Sequence, residues 1–493
     1  GAASLDANTT AVDNTAIGYD AMSANTTGQM NVAIGTYAFD ANTTGDFNVA
    51  VGRAALSANT TADNNTAIGF QALDVNTTGA QNTAVGGGAL DANTTANNGT
   101  AVGYAALGAN TDGFDNTAVG AYSLDANTTG DENTAMGVFS LSANTSGLKN
   151  TGLGRSALGN NTTASNNTAV GYSALTANTT GASNTAVGKD ALDANTTGGS
   201  NVGMGFNALG ANTTAIYNTA IGTRAAETNT TGTENTAIGG LALRYNTTAD
   251  ANTAVGYAAL TTNTTGYNNA AVGKDALKDN TTGHSNATLG TSALANNTTG
   301  ANNTAVGHAP LFDNTTGGNN TALGYLALGD NTTASENTAV GYEALRANTT
   351  GASNTAIGLD ALLSNTTGAF NTAVGANALD ANTASYNTAV GYNALGSNTT
   401  GENNCAVGAD ALASSTGTQN TALGHIAGNS ITSGNYNISI GYNAQPTSAT
   451  ASGQCTLGNG NVSNLRCNDT SISSLSDSRD KTDIINSPYG LDF

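Results

Sequence analysis

The chain has 493 residues, only 9% of them charged, and 33 Asp and Glu against 12 Lys and Arg leave a formal charge of −21. With 63 Gly, 3 Pro and no Trp, the composition argues against a string of ordinary globular domains, in which about 25% of residues are charged. The acidic balance disfavours nucleic acid, whose phosphates need clustered Lys and Arg, and no run of 18 apolar residues is present to span a membrane.

Gly1 to Asp13 match positions 5 to 17 of a repeat whose first full copy begins at Asn14. The chain thus opens inside a repeat, and more of the molecule is expected upstream. Copies recur every 17 residues to Asn371, then begin at Asn387, Asn404, Asn420, Asn437 and Gln454, which makes 27 in all. Two of the late steps are 16 residues long, so a loop can lose a residue while the order of the elements is kept.

Comparing copies within the chain shows what each position tolerates. Position 5 is Gly throughout, as at Gly18, Gly35, Gly52, Gly171, Gly341, Gly391 and Gly458; a site that never accepts a Cβ implies positive φ or close backbone approach. Position 4 is Val, Ile, Leu or Met, position 9 is nearly always Leu, and position 2 is Thr, Val, Ala, Ile or Cys. The coil reads as a strand "TAVG", a turn, a second strand "xALxA" and a loop "NTTGxx". Positions 2 and 4 are expected to face one interior together with Leu at position 9. Position 3 and position 8 hold small residues, with Pro310 at one position 8. Their side is expected to press against sister chains, most simply in a trimer.

No 3.6-residue period persists, and Gly, Asn and Thr recur too often for helix. A period of this length fits one rung of a β-solenoid. A lone rung cannot offset the entropy of ordering itself, but stacked rungs share backbone hydrogen bonds, and Asn at position 12 can form an amide ladder. At roughly 4.8 Å per rung the copies give a rod on the order of 130 Å long. Ser415 is the first residue to break the Asn rule at position 12, as repeats degenerate toward a cap.

Arg53, Lys189, Asp190, Asp193, Lys274, Glu343 and Arg346 mark positions 6, 7 and 10 as solvent-facing, and positions 16 and 17 join them. Cys405 and Cys455 replace the usual small residue at position 2 and are expected to be buried; with Cys467 they form no metal-ligand spacing. Position 6 is often aromatic, as at Tyr19, Phe70, Tyr104, Tyr172, Phe206, Tyr257, Tyr325, Tyr342, Tyr392 and Tyr442. Such rings either cover a strand edge or stack on sugars of a surface polysaccharide. His284, His308 and His425 stand singly, without Cys or carboxylate partners, and read as surface residues. The "NTT" triplets are formal glycosylation sequons and read as turn chemistry. An ice-binding Thr face needs outward Thr, and position 2 is read as inward, which leaves only Thr at positions 13 and 14 for such a face.

"NTAIG", "NTAVG" and "NTALG" resemble the "SVAIG" coils of the YadA-like head, a trimeric left-handed parallel β-roll of bacterial adhesins. The resemblance covers residues 1–458, with a longer coil and Thr where the adhesin usually has Val. It implies an all-β, trimeric parallel β-solenoid with about 17 residues per rung over 1–458, followed by a non-repeat neck or cap at 459–475. The stretch "SLSDSRDKTDIINSPYGLDF" (474–493) resembles the start of the self-cleaving intramolecular chaperone domain of phage tail fibres and tailspikes. That resemblance implies cleavage between Leu475 and Ser476, with Ser476 as nucleophile and Lys481, as a neutral amine, taking its proton; the matching stretch continues through Thr482, Asp483 and Ile484 to Gly490–Phe493.

Together these resemblances imply the shaft of a bacteriophage tail fibre: extracellular, part of the virion, homotrimeric, joined upstream to a tail or baseplate protein. It would reach toward a host surface polysaccharide or outer-membrane receptor. No cofactor, metal, nucleic acid or membrane insertion is expected, and no enzymatic activity beyond one self-cleavage. The alternative is a YadA-type trimeric bacterial surface adhesin, which a membrane-anchoring β-barrel in the full gene would identify.

Overall fold

The computed structural model describes residues 1–464; Ser476, Lys481 and the expected chaperone segment 476–493 lie outside the described residues, as does most of the expected neck. Twenty-seven strands of three residues each, numbered in chain order from β1 (Thr15–Ile17) to β27 (Cys455–Leu457), form one parallel sheet. Each strand pairs in register with the next, Thr15 with Val32, Ala16 with Ala33 and Ile17 with Ile34, and so on to Leu457. The described chain is an all-β parallel solenoid of about 17 residues per turn, and it contains no helix.

The strand faces the opposite way from the sequence expectation. Position 3 points into the coil, where Ala33, Ala50 and Ala67 have no exposed surface, and position 8 joins it at Ala38, Ala55 and Ala72. Position 4 points out, with Ile17 58% and Leu289 54% exposed. Successive strand residues take opposite faces, so a one-residue change in the inward assignment exchanges every side chain. The small residues at positions 3 and 8 answer to a narrow interior, and the chain's own core covers them, not a sister subunit. Gly152 illustrates how tight that interior is: the hydroxyl of Ser140, at position 8 of the rung before, donates to the Gly152 carbonyl at 2.8 Å and occupies the room a Cβ would take.

The expected second strand is absent. Positions 7 and 9 lie in the left-handed region, as at Tyr37 (φ 58°) and Phe39 (φ 55°) or Gln71 (φ 53°) and Leu73 (φ 54°). Each such residue costs roughly 1–2 kcal/mol, and the return segment regains hydrogen bonds in both axial directions. The Tyr37 amide donates to the Tyr19 carbonyl of the preceding rung, and the Phe39 amide to the Ala55 carbonyl of the following one. Leu at position 9 is buried all along the coil, from Leu56 to Leu412.

Position 5 turns the chain out of the strand. Gly18 has φ 144° and Gly188 has φ 135°, and a Cβ on Gly18 would collide with the carbonyl oxygen of Gly35. The other named glycines, Gly35, Gly52, Gly171, Gly341 and Gly391, share that conformation, while Gly458 ends the series with φ 77°.

Two amide ladders run inside the coil. At position 12, the Asn42 Nδ2 donates to Asn25 Oδ1 at 2.8 Å and to the Gly45 carbonyl at 3.1 Å, and this pattern repeats rung after rung. The second ladder, at position 1, is not legible from the repeat alone. The Asn48 backbone N–H donates to Asn31 Oδ1 at 2.8 Å, and its Nδ2 to the Ala62 carbonyl at 2.9 Å. Both sets are buried, and their amides are partnered in part within the rung and in part by the rungs on either side.

Candidate interaction surface

Turning position 3 inward leaves positions 2 and 4 on an open face that follows the whole sheet. Position 4 supplies exposed Ile17, Ile68, Met136, Leu289, Leu323, Leu423 and Leu457. Position 2 supplies half-exposed Thr, as at Thr83, Thr117, Thr185 and Thr236. All-parallel sheets normally have both faces covered, and monomers rarely show apolar patches beyond a few hundred Å². Here one face of a 27-stranded parallel sheet is bare.

Cys405 and Cys455 lie on this face as well, half-exposed and exposed, and not buried as expected. The Thr row at position 2 is likewise outward, which reverses the reading that set an ice-binding face aside. The row alternates with Val, Ile, Leu or Met at position 4, so the face is apolar along one of its two ranks.

The aromatic residues flank this face, and many of them spend their ring faces on one another. His308 stacks on Tyr325 at 5.4 Å and Tyr325 on Tyr342 at 5.1 Å between centroids, with interplanar angles of 16° and 12°. Tyr122 and Phe139 stack at 5.4 Å, and Tyr267 and His284 at 4.8 Å. Lys189 sits between Tyr172 and Phe206, 6.0 and 5.4 Å from the ring centres. A ring whose face is covered by its axial neighbour offers an edge to a sugar, which favours the edge-covering reading for Tyr325 and Tyr342 of the position 6 row, while Tyr257 and Tyr392 of that row are exposed and stack on no ring among the described residues. The three His each pair with a Tyr ring, at Tyr267, Tyr325 and Tyr442.

Asn of the "NTT" sequons is buried in the position 12 ladder, as at Asn178 and Asn195, beyond the reach of a glycosylating enzyme once the coil has formed. Position 10 carries Asp40, Asp91, Asp125, Asp193 and Asp380, whose carboxyls burial pushes above the ordinary aspartate value. The expectation that position 10 is fully solvent-facing therefore fails for these residues. Position 16 has a role that the sequence reading missed: Asp46 Oδ1 accepts the Gln29 N–H, and Asp63 Oδ1 the Asp46 N–H, at 2.6 and 2.7 Å, closing the loop from one rung to the next. Among the described residues no group of three or more His, Cys, Asp or Glu is placed to hold a metal ion, and no helix is long and apolar enough to cross a membrane.

The sequence matches no family model and no curated protein.

Proposed function

We propose that this chain is the shaft of a fibre that extends toward a host surface, built from parallel copies whose position 2 and 4 faces cover one another. The observation that carries the reading is the bare apolar strand face. A partner for that face must match a repeat of one strand every rung over 27 rungs, and a second copy of the chain has that period by construction. Closed symmetry then needs no further component, and three copies is the number implied by resemblance to YadA-like heads. Covering the face with sister strands also accounts for a Val, Ile, Leu or Met at every position 4.

The finer reading is a bacteriophage tail fibre, part of the virion, with a polysaccharide or outer-membrane receptor on the host and a single self-cleavage between Leu475 and Ser476. It rests on the "SLSDSRDKTDIINSPYGLDF" stretch and on the resemblance of the repeats.

Sedimentation velocity of the purified chain tests the assembly: a mass three times that of the chain is expected, and a triple substitution Val187→Asp, Ile221→Asp, Ile238→Asp should release the single chain. A wild-type chain that sediments as one 48.3 kDa species would overturn it. For the cleavage, intact-mass measurement should show loss of the segment after Leu475, and Ser476→Ala should retain it. An uncut wild-type chain removes the self-cleavage.

A further inference from the structure

The position 12 ladder is continuous from Asn8 to Asn365, each amide linked to the one before it. It stops there. The rung that begins at Asn371 has 16 residues, and the missing residue is the Thr of position 14, so its corner runs Asn382, Thr383, Ala384. Asn382 Nδ2 keeps the corner bond of the regular rungs, to the Ala384 carbonyl at 2.8 Å, but does not reach Asn365, whose Oδ1 is left buried with no partner.

The backbone opens at the same corner. In regular rungs the Thr at position 13 donates twice to its successor's carbonyl: Thr349 N–H to Thr366 O at 2.9 Å and Thr349 Oγ1 at 3.0 Å. Thr366 makes neither bond to Thr383, while Thr383 resumes both toward Thr399. The second short rung, from Asn404, omits the same residue, and the result is the same: Thr399 makes no such bond to Thr416, and Thr416 resumes toward Thr432.

The strand side is unaffected at both places. Asn387 N–H donates to Asn371 Oδ1, and Asn420 N–H to Asn404 Oδ1. At the first, the Phe370 and Tyr386 rings still stack at 5.2 Å.

We propose that the two short rungs are one-sided joints. The sheet side acts as the hinge, and the Asn–Thr corner at Asn365–Thr366 and at Thr399 opens, so that the rungs after each joint can tilt against a stiff shaft. A deletion in a repeat usually shifts everything after it. Here both short rungs lose the residue of position 14, the strand register is kept, and the cost falls on corner bonds. This inference does not depend on what the fibre attaches to.

Hydrogen exchange read by mass spectrometry on the full chain tests it. The Thr366 and Thr399 amides should exchange at least about tenfold faster than those of Thr332 and Thr349, because local opening governs protection. Inserting a Thr after Thr383 and another after Thr416 should restore protection, and electron micrographs should show a narrower spread of angles between the C-terminal rungs and the shaft. Deleting Thr180 should create a new joint in mid-shaft. Equal protection at Thr349 and Thr366, or a spread of angles unchanged by the two insertions, would overturn the proposal. Should the Thr180 deletion fail to fold, the insertion variant still decides.

Discussion

Rungs between Asn14 and Phe370 and rungs after Asn371 share one fold but differ in how strictly they obey the repeat. In the first region every interior position holds its residue type with few exceptions: Asn at 1 and 12, a small residue at 3 and 8, an apolar one at 9. In the second, Asn382 fails to continue the ladder from Asn365, Ser415 takes an Asn place, and the rung from Asn420 exchanges roles. There position 9 is Gly428, and Ile431 stands where Asn would be and fills the interior, buried like the Leu it replaces. The lesson is that the strand register tolerates no substitute, since β22 (Thr372–Val374) to β27 pair as regularly as the rest. The corner, by contrast, can be rebuilt in several ways.

The largest expected difference between the regions is at position 5. Gly188→Val in the regular shaft forces a β-branched residue into φ 135° against the Gly205 carbonyl and should cost more than about 4 kcal/mol. Gly441→Ala, where φ is 114° and the nearest atom is Gly458 Cα at 3.1 Å, should cost about half that. Urea unfolding of each variant measures both, and equal losses would mean that the glycines act by conformation alone, not by crowding.

Core truncation comes next. Leu209→Ala, buried among position 3 and 8 alanines, should destabilise by about 2–5 kcal/mol, and in a stacked array the loss should propagate to neighbouring rungs. Ile431→Ala sits beside an already irregular rung and should lose less, about 1–3 kcal/mol, because the site can collapse. Comparing the two by thermal denaturation separates packing from propagation.

The amide ladder offers a smaller contrast. Asn195→Ala removes the donor to Asn178 Oδ1 and to the Gly198 carbonyl, and leaving buried acceptors unpaired costs about 1–3 kcal/mol each. Asn382→Ala should cost less on the Asn365 side, where no bond exists to lose.

The smallest effect is the pH dependence of the position 10 aspartates. Burial, the leading cause, raises Asp40, Asp91, Asp125, Asp193 and Asp380 in the folded chain. Folding therefore favours their protonated forms, so stability from this row is greatest at acidic pH. It falls as pH rises from the ordinary aspartate value through the raised ones, then levels off. Because these carboxyls remain partly solvated, Asp193→Asn should stabilise the chain near neutrality by only a few tenths of a kcal/mol. A melting series from mildly acidic to neutral pH checks the sign. Four of these five residues lie in the regular region, so the slope should belong mainly to it.

Much of the fold is legible because the chain is its own alignment. The unbroken Gly18-to-Gly458 series, Leu at position 9 and Asn at position 12 each point to one structural demand, and the period sets the rung. Three things are not legible. Ala at position 3 and Val at position 4 are both apolar, so alternation alone does not say which is inside. Leu73 and its equivalents look like strand residues yet adopt left-handed φ, since the hydrogen bonds that reward that conformation come from adjacent rungs. Asn at position 1 looks like a loop residue until Asn31 and Asn48 are seen to be buried and linked.

From the sequence alone follow the period, the all-β stacking and the positions that cannot change, because each is a local demand repeated until chance is excluded. The side of the strand that meets water was decided only in three dimensions. With leucine already filling each rung from position 9, the interior has room at position 3 for alanine but not for a second row of valine and isoleucine, and that competition for interior volume exists only once the rungs are closed and stacked.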